Sequence, residues 1–223
     1  MLKTFRSFLV FVAALLPISL HAASHTTSSF PKPAVDSPVA HAHGREEAVL
    51  SGGCFWGVQA IFEHTRGVLS AVSGYSGGSA DTAHYEMVGG GNTGHAESVK
   101  VIFDPAQITY GEVLMIFFSV AHDPTQLNKQ GPDWGTQYRS ALFYASPEQQ
   151  RIAEAYIAQL NVAKVYPQKI VTQVVPLKEF FPAENYHQDY VKHHPDNPYI
   201  VINDLPKLSA FRKQFPDLYR DQP

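Results

Sequence analysis

The apolar positions of this chain change period several times, and each change marks an element. Ala48-Val49-Leu50 is a short continuous apolar run, the pattern of a buried strand, and it stops at Gly52-Gly53. From Phe55 to Glu63 the apolar residues recur at helical spacing, so the paired glycines form the turn between a strand and a helix. Val68 to Tyr75 is rich in β-branched and aromatic residues and closes at Gly77-Gly78, which predicts a second strand. Asp81 to Gly94 has no period and reads as a loop. Ala96 to Phe103 alternates, placing Glu97, Val99, Val101 and Phe103 on one face of a strand and Ser98, Lys100 and Ile102 on the other.

Beyond that strand, Thr109 caps a helix to Ala121 whose Val113, Leu114, Ile116, Phe117 and Val120 form a broad buried face. His122 to Tyr138 is a long loop broken by Asp123-Pro124, Gly131-Pro132-Asp133 and Gly135, a length that in a compact domain marks function. Ala141 to Tyr144 is a strand, Pro147 to Asn161 a helix capped by Ser146, Ile170 to Val175 a strand and Ala183 to Lys192 a helix. From Pro195 the chain reads as an extended tail with a short helix near Leu208 to Gln214. Mixed strands and helices of this kind predict an α/β (α+β) domain built as a two-layer sandwich.

The first residues are of another material. Lys3 and Arg6 precede an apolar run from Phe8 to Leu16, Pro17 breaks it, and small residues follow at Ala22-Ala23-Ser24. That is the layout of a secretory signal peptide over residues 1–23 and predicts an exported, periplasmic protein. Residues 24–44 are rich in Ser, Thr, Pro, Ala and His without period and read as a flexible linker, leaving 45–223 as one domain with an extended C-terminal tail. With 44% hydrophobic and 17% charged residues and a net charge of -3, the chain has no general attraction for nucleic acid. His41 with His43, and His193-His194, lack a third ligand, so no metal site is expected. Gly89-Gly90-Gly91-Asn92-Thr93-Gly94 lacks the Gly-Lys-Ser/Thr of a phosphate cradle and reads as a turn.

Chemistry concentrates at Cys54, the only cysteine. At a helix start, unpaired N–H groups favour the thiolate, and lowering a thiol pKa from 8.5 to about 7 ionises roughly half of it at neutral pH. An exported protein ordinarily pairs its cysteines, so a solitary thiol is either inert or a tool. If active, it must be returned to thiol by another molecule. Glu97 shares a face with three apolar side chains, which places it either at the strand's rim or in a dry pocket with a raised pKa.

Gly53-Cys54-Phe55-Trp56-Gly57, Gly74-Tyr75-Ser76-Gly77-Gly78, Tyr85, Thr93-Gly94-His95-Ala96-Glu97, His122-Asp123-Pro124-Thr125, Gly135-Thr136-Gln137-Tyr138-Arg139-Ser140 and Pro182-Ala183-Glu184-Asn185-Tyr186-His187-Gln188 stand in order. Together they resemble peptide methionine sulfoxide reductase A over about 48–198. The resemblance implies a mixed sheet related to the ferredoxin-like arrangement and reduction of the S epimer of methionine sulfoxide, free or in oxidised proteins, with no bound cofactor. It makes Cys54 the nucleophile that becomes a sulfenic acid, Glu97 the acid, and Tyr85 and Tyr138 the donors that hold the sulfoxide oxygen. Asp133 matches an acid behind the reacting groups, Phe55 and Trp56 the apolar wall for the substrate methyl, and Tyr199 a further substrate-side tyrosine. Many relatives reset the sulfenic acid with a C-terminal cysteine, some directly after the counterpart of Tyr199; here that position is Ile200. The expected reductant is therefore an external thiol, either a thioredoxin-like protein or a glutathione-type thiol, acting on a monomer. Two rival readings are a thiol hydrolase, for which His84, His95, His122 and His187 are available as bases, and a binding protein with an inert buried cysteine.

Overall fold

The computed structural model describes residues 30–222. The expected signal peptide lies outside the described residues. In chain order the elements are β1 (Glu46–Gly52), α1 (Phe55–Glu63), β2 (Val68–Ser76), α2 (Tyr85–Val88), β3 (Ala96–Phe103), α3 (Tyr110–Ile116), β4 (Lys129–Gln130), β5 (Asp133–Trp134), β6 (Ser140–Tyr144), α4 (Pro147–Val162), β7 (Gln173–Pro176), β8 (Phe180–Pro182), α5 (Tyr190–His193) and α6 (Leu205–Gln214). Six strands form one sheet in the order β7-β6-β1-β3-β2-β8, and β4 with β5 makes a separate hairpin. Within the sheet β6 and β7 are parallel and the other pairs antiparallel, so the expected mixed sheet is present.

Alternation along the strands divides the sheet into two faces. Leu50, Val99, Val101, Phe103 and Leu142 join Phe55, Val58, Ile61 and Phe62 of α1, Val113, Leu114 and Ile116 of α3, and Ile152, Ala153 and Tyr156 of α4 in the main core. Val49, Ala96, Ala141 and Phe143 point the other way into a smaller cluster closed by Val175, Leu177 and Phe180. Helices thus cover one face, giving the two layers.

Four segments depart from the expectations. The helix over Ala183 to Lys192 is split into a short 3-10 turn at Asn185–His187 and α5. The break falls where Gln188 is extended and Asp189 adopts φ 52°, and the Gln188 side chain bonds Ser73 N, Ser73 O and Ala183 O instead of facing solvent. The helix begun by Thr109 widens into a π turn at Phe117–Ala121. The loop over Asp81 to Gly94 contains α2, with Tyr85 as its first residue. The C-terminal tail carries the expected short helix, as α6, but is not extended around it: a π turn at Ile200–Asp204 leads into the helix, Phe211 and Phe215 are buried, and the chain returns to pair Arg220 N with His64 O at 2.8 Å.

The linker is also corrected over its described part. Between Phe30 and Gly44 the chain lies along the core: Tyr156 Oη donates to Pro31 O at 2.7 Å, Gln159 Nε2 to Lys32 O at 2.8 Å, and Ala40 N to Pro105 O at 3.0 Å. Backbone carbonyls supply these bonds, so a low-hydrophobicity composition does not reveal them. Asp36 is the firmest anchor. Its carboxylate accepts from Thr109 Oγ1 at 2.5 Å and Gly111 N at 2.7 Å, at the start of α3, where Thr109 and Glu112 already form a capping box. Asp36→Ala is expected to cost about 1–2 kcal/mol of stability, read by denaturant unfolding.

Candidate active site

The site is built where β1 ends and β3 begins. Gly53 has φ +90°, and a Cβ there would lie 2.4 Å from Gln130 Cγ, so the turn requires glycine twice over. The turn delivers Cys54 to the N-cap of α1, as the sequence pattern predicts. Beside it on β3, Glu97 is 3% exposed, in the dry pocket rather than at the rim. Its Oε2 accepts the backbone N–H of Phe55, the residue after the cysteine, at 3.0 Å. The helix start is thus capped from the neighbouring strand by the carboxyl group itself. Burial pushes the Glu97 carboxyl up to about 8, with Asp133 adding to the effect and the Phe55 N–H opposing it.

Cys54 departs from expectation. Only the Trp56 N–H favours its thiolate; burial foremost, then Glu97, Asp204 and Asp133, push the thiol well above its ordinary range. At neutral pH it is a thiol in the substrate-free protein. The helix terminus is outweighed because the cysteine is 8% exposed and ringed by carboxyl groups.

Three tyrosines and one acid complete the ring. Tyr85 is set by α2, whose first N–H, that of Tyr85, donates to Glu184 Oε1 at 2.9 Å. Burial, with Glu97 and Cys54 nearby, pushes its phenol up to about 12, and Tyr138 rises further for similar reasons. Both therefore remain O–H donors across the physiological range. Asp133, on the β4–β5 hairpin inside the long loop, accepts from Tyr199 Oη at 2.5 Å. Tyr199 itself rises through burial and the proximity of Cys54, Asp133 and Asp204. Trp56 is half-buried, stacked on Tyr190 at 3.8 Å and edge-on to Tyr199 at 5.8 Å, while its Nε1–H donates to His187 Nδ1 at 3.2 Å. Phe55 is 1% exposed, packed on Tyr75 and His187 in the core. The structure thus gathers Cys54, Glu97, Tyr85, Tyr138, Asp133, Trp56 and Tyr199 in one place and sets Phe55 behind them.

The sequence profile of the peptide methionine sulfoxide reductase family matches residues 46–219, an interval that contains every one of these groups. The chain belongs to that family. It is accordingly an oxidoreductase, a peptide-methionine (S)-S-oxide reductase, of the A type. It is 57% identical over 182 residues to peptide methionine sulfoxide reductase MsrA 2 of Mesorhizobium japonicum, covering 82% of this chain and 93% of the relative. Among solved structures it is similar to methionine sulfoxide reductase A of Corynebacterium diphtheriae, with 36% identity, TM-score 0.61, and 75% and 84% of the two chains covered. The reduced form of Mxr1 from Saccharomyces cerevisiae gives 31% identity, TM-score 0.62, and coverage of 72% and 94%.

In this peptide methionine sulfoxide reductase the histidines serve the framework. His95 Nδ1 accepts from Gly78 N and its Nε2 meets Ser79 O; His122 is bonded to Phe117 O and Ser140 Oγ, and burial lowers its pKa to about 3. None is bonded to Cys54, so the pairing a thiol hydrolase needs is not formed among the described residues. Ile200, in the position that carries a cysteine in some relatives, is fully buried against Ala60 and Val191. Sequence reasoning missed three supports. Glu184 holds both Tyr75 Oη, at 2.8 Å, and the start of α2; it stands inside the Pro182 to Gln188 segment, where its position was visible and its task was not. His187 orients Trp56. Asp204, fully buried beside α1, lies in a stretch that reads as extended tail and gives no sequence signal.

Proposed function

We propose that this protein repairs oxidised methionine by direct attack of the Cys54 sulfur on the sulfoxide sulfur of the S epimer, free or within proteins. The observation that carries this reading is the junction at Phe55: the residue after the thiol donates to Glu97, so the acid on β3 is tied to the turn that carries the nucleophile. Sulfoxide sulfur is a competent electrophile only when its oxygen is protonated or strongly hydrogen-bonded. Glu97, protonated below about 8, gives its proton to that oxygen, and Tyr85 and Tyr138 donate to it without adding charge. Trp56 offers the apolar wall for the methyl group, Phe55 packs behind the site on Tyr75 and His187, and Tyr199, edge-on to Trp56, is held by Asp133. The sulfoxide S–O bond breaks as oxygen passes to Cys54. Methionine is reduced by two electrons, Cys54 becomes a sulfenic acid, and the thiol proton returns to Glu97.

Resetting falls to a thiol from outside the chain, because there is no second cysteine. One external thiol condenses with the sulfenic acid, releasing water, and a second exchanges with the mixed disulfide to restore Cys54. A thioredoxin-like protein or a glutathione-type thiol meets this need. The leader-like residues 1–23 support export to the periplasm, with the protein acting there as a monomer. An assay of the mature protein on each epimer, with thioredoxin-type and glutathione-type reductants in separate arms, tests the reading. Turnover of the S epimer alone, and only with added thiol, is expected; sustained turnover without thiol, or of the R epimer, would refute it.

A further inference from the structure

The two tyrosines assigned to the sulfoxide oxygen arrive on separate stretches of chain. Tyr85 opens α2, whereas Tyr138 closes a 3-10 turn at Thr136–Tyr138 in the long loop. Side chains on either side of Tyr138 reach across to the segment that follows α2. Gln137 Nε2 donates to Gly89 O at 3.0 Å and Thr136 Oγ1 to Gly91 O at 2.6 Å. Arg139 donates from Nη2 to Gly94 O at 2.9 Å and from Nη1 to His95 O at 3.0 Å and Thr136 O at 2.9 Å, so one planar guanidinium joins both stretches. The backbone is cut to fit the amide. Gln137 is 4% exposed, and a Cβ would lie 2.9 Å from its Oε1 if placed on Gly91 and 2.1 Å from it if placed on Gly135. That Oε1 has no partner among the described residues. A buried amide oxygen left unpaired costs stability, so stability alone does not account for an amide at this place.

We propose that Gln137 and Arg139 are positioning residues of the oxygen pocket: from either side of Tyr138 they clasp the 89–95 segment and so fix the Tyr138 and Tyr85 phenols relative to each other. Gly89, whose carbonyl Gln137 holds, is the C-cap of α2, and Glu184 takes the Tyr85 N–H at the start of the same helix. The short helix that carries Tyr85 is thus held at both ends, and one of the holds comes from the residue next to Tyr138. Neither Gln137 nor Arg139 has to touch substrate. Donors set in place before the reaction cost no reorganisation as charge shifts on the oxygen, and a displacement of about 1 Å can cost about 10²-fold in rate. The inference rests on the reading of Tyr85 and Tyr138 as the donors to the sulfoxide oxygen.

The experiment measures single-turnover methionine formation from the S epimer, which keeps the reset of the enzyme out of the readout, in Gln137→Ala and Arg139→Lys. Each change is made in wild type and in Tyr85→Phe/Tyr138→Phe. Lysine keeps the charge of Arg139 and loses the planar fork. In wild type, both variants are expected to fold, to lower the maximal rate about 10- to 100-fold and to leave the half-saturating substrate concentration within about twofold. In the background without phenol hydroxyls the same changes should cost less than about twofold, because no donor is left to misplace. An equal loss in both backgrounds, as a merely structural role predicts, would overturn the assignment. So would wild-type rates in both variants, a loss confined to half-saturation, or loss of folding in both, read by circular dichroism; if one alone unfolds, the other decides. Were the reading of the tyrosines itself wrong, Tyr85→Phe/Tyr138→Phe would be as fast as wild type, whereas an error about the clasp alone leaves that double variant slow.

Discussion

Replacing Cys54 with serine is expected to bring methionine sulfoxide reduction down to background. The change removes one sulfur and leaves the turn intact, because Gly53, the Phe55 N–H to Glu97 bond and the α1 N-cap do not depend on the side chain of residue 54. A serine hydroxyl is a far weaker nucleophile, and it cannot take up the oxygen as a thiol does in becoming a sulfenic acid. Unchanged unfolding with lost activity is the expected pair of results. The binding-protein reading predicts that an inert buried thiol can be replaced without consequence.

Glu97→Gln is expected to slow the reaction by about 10²–10⁴, the range of a positioned general acid. The amide oxygen still accepts from Phe55 N, so the turn survives, but no acidic proton remains. The pH dependence separates loss of the acid from loss of shape. Glu97 has its pKa pushed up to about 8, so the carboxyl group is protonated below that value and charged above it. Wild-type kcat/KM should therefore be level on the acid side and fall as pH rises through about 8, and that falling limb should be missing in Glu97→Gln. A variant that is equally fast, or that keeps the same limb, would remove Glu97 from the chemistry.

Much of this site was legible because its parts are local. Gly52-Gly53 before a helical period places Cys54 at a helix start, and the alternation of Ala96 to Phe103 puts Glu97 on the core face. The rest depends on long-range packing. No local pattern shows that Cys54 is buried among acids, so the expected thiolate is instead a thiol at rest. The Ala183 to Lys192 helix breaks because Gln188 spends its amide on β2, a partner far away in sequence. Phe30 to Gly44 docks through its own backbone groups and through Asp36, and such bonds leave no trace in composition. Asp204 leaves no local signal for the same reason: its neighbour is Gly57, on another element.

The direct test of the chemistry is a single turnover without any added thiol, run side by side on wild type and Cys54→Ser, with methionine quantified and the protein mass read with and without a sulfenic-acid trap. One methionine per wild-type molecule, one oxygen gained at Cys54 and captured by the trap, and neither in Cys54→Ser, is the predicted result. Methionine formed without any change at Cys54, or formed equally by the serine variant, would contradict it.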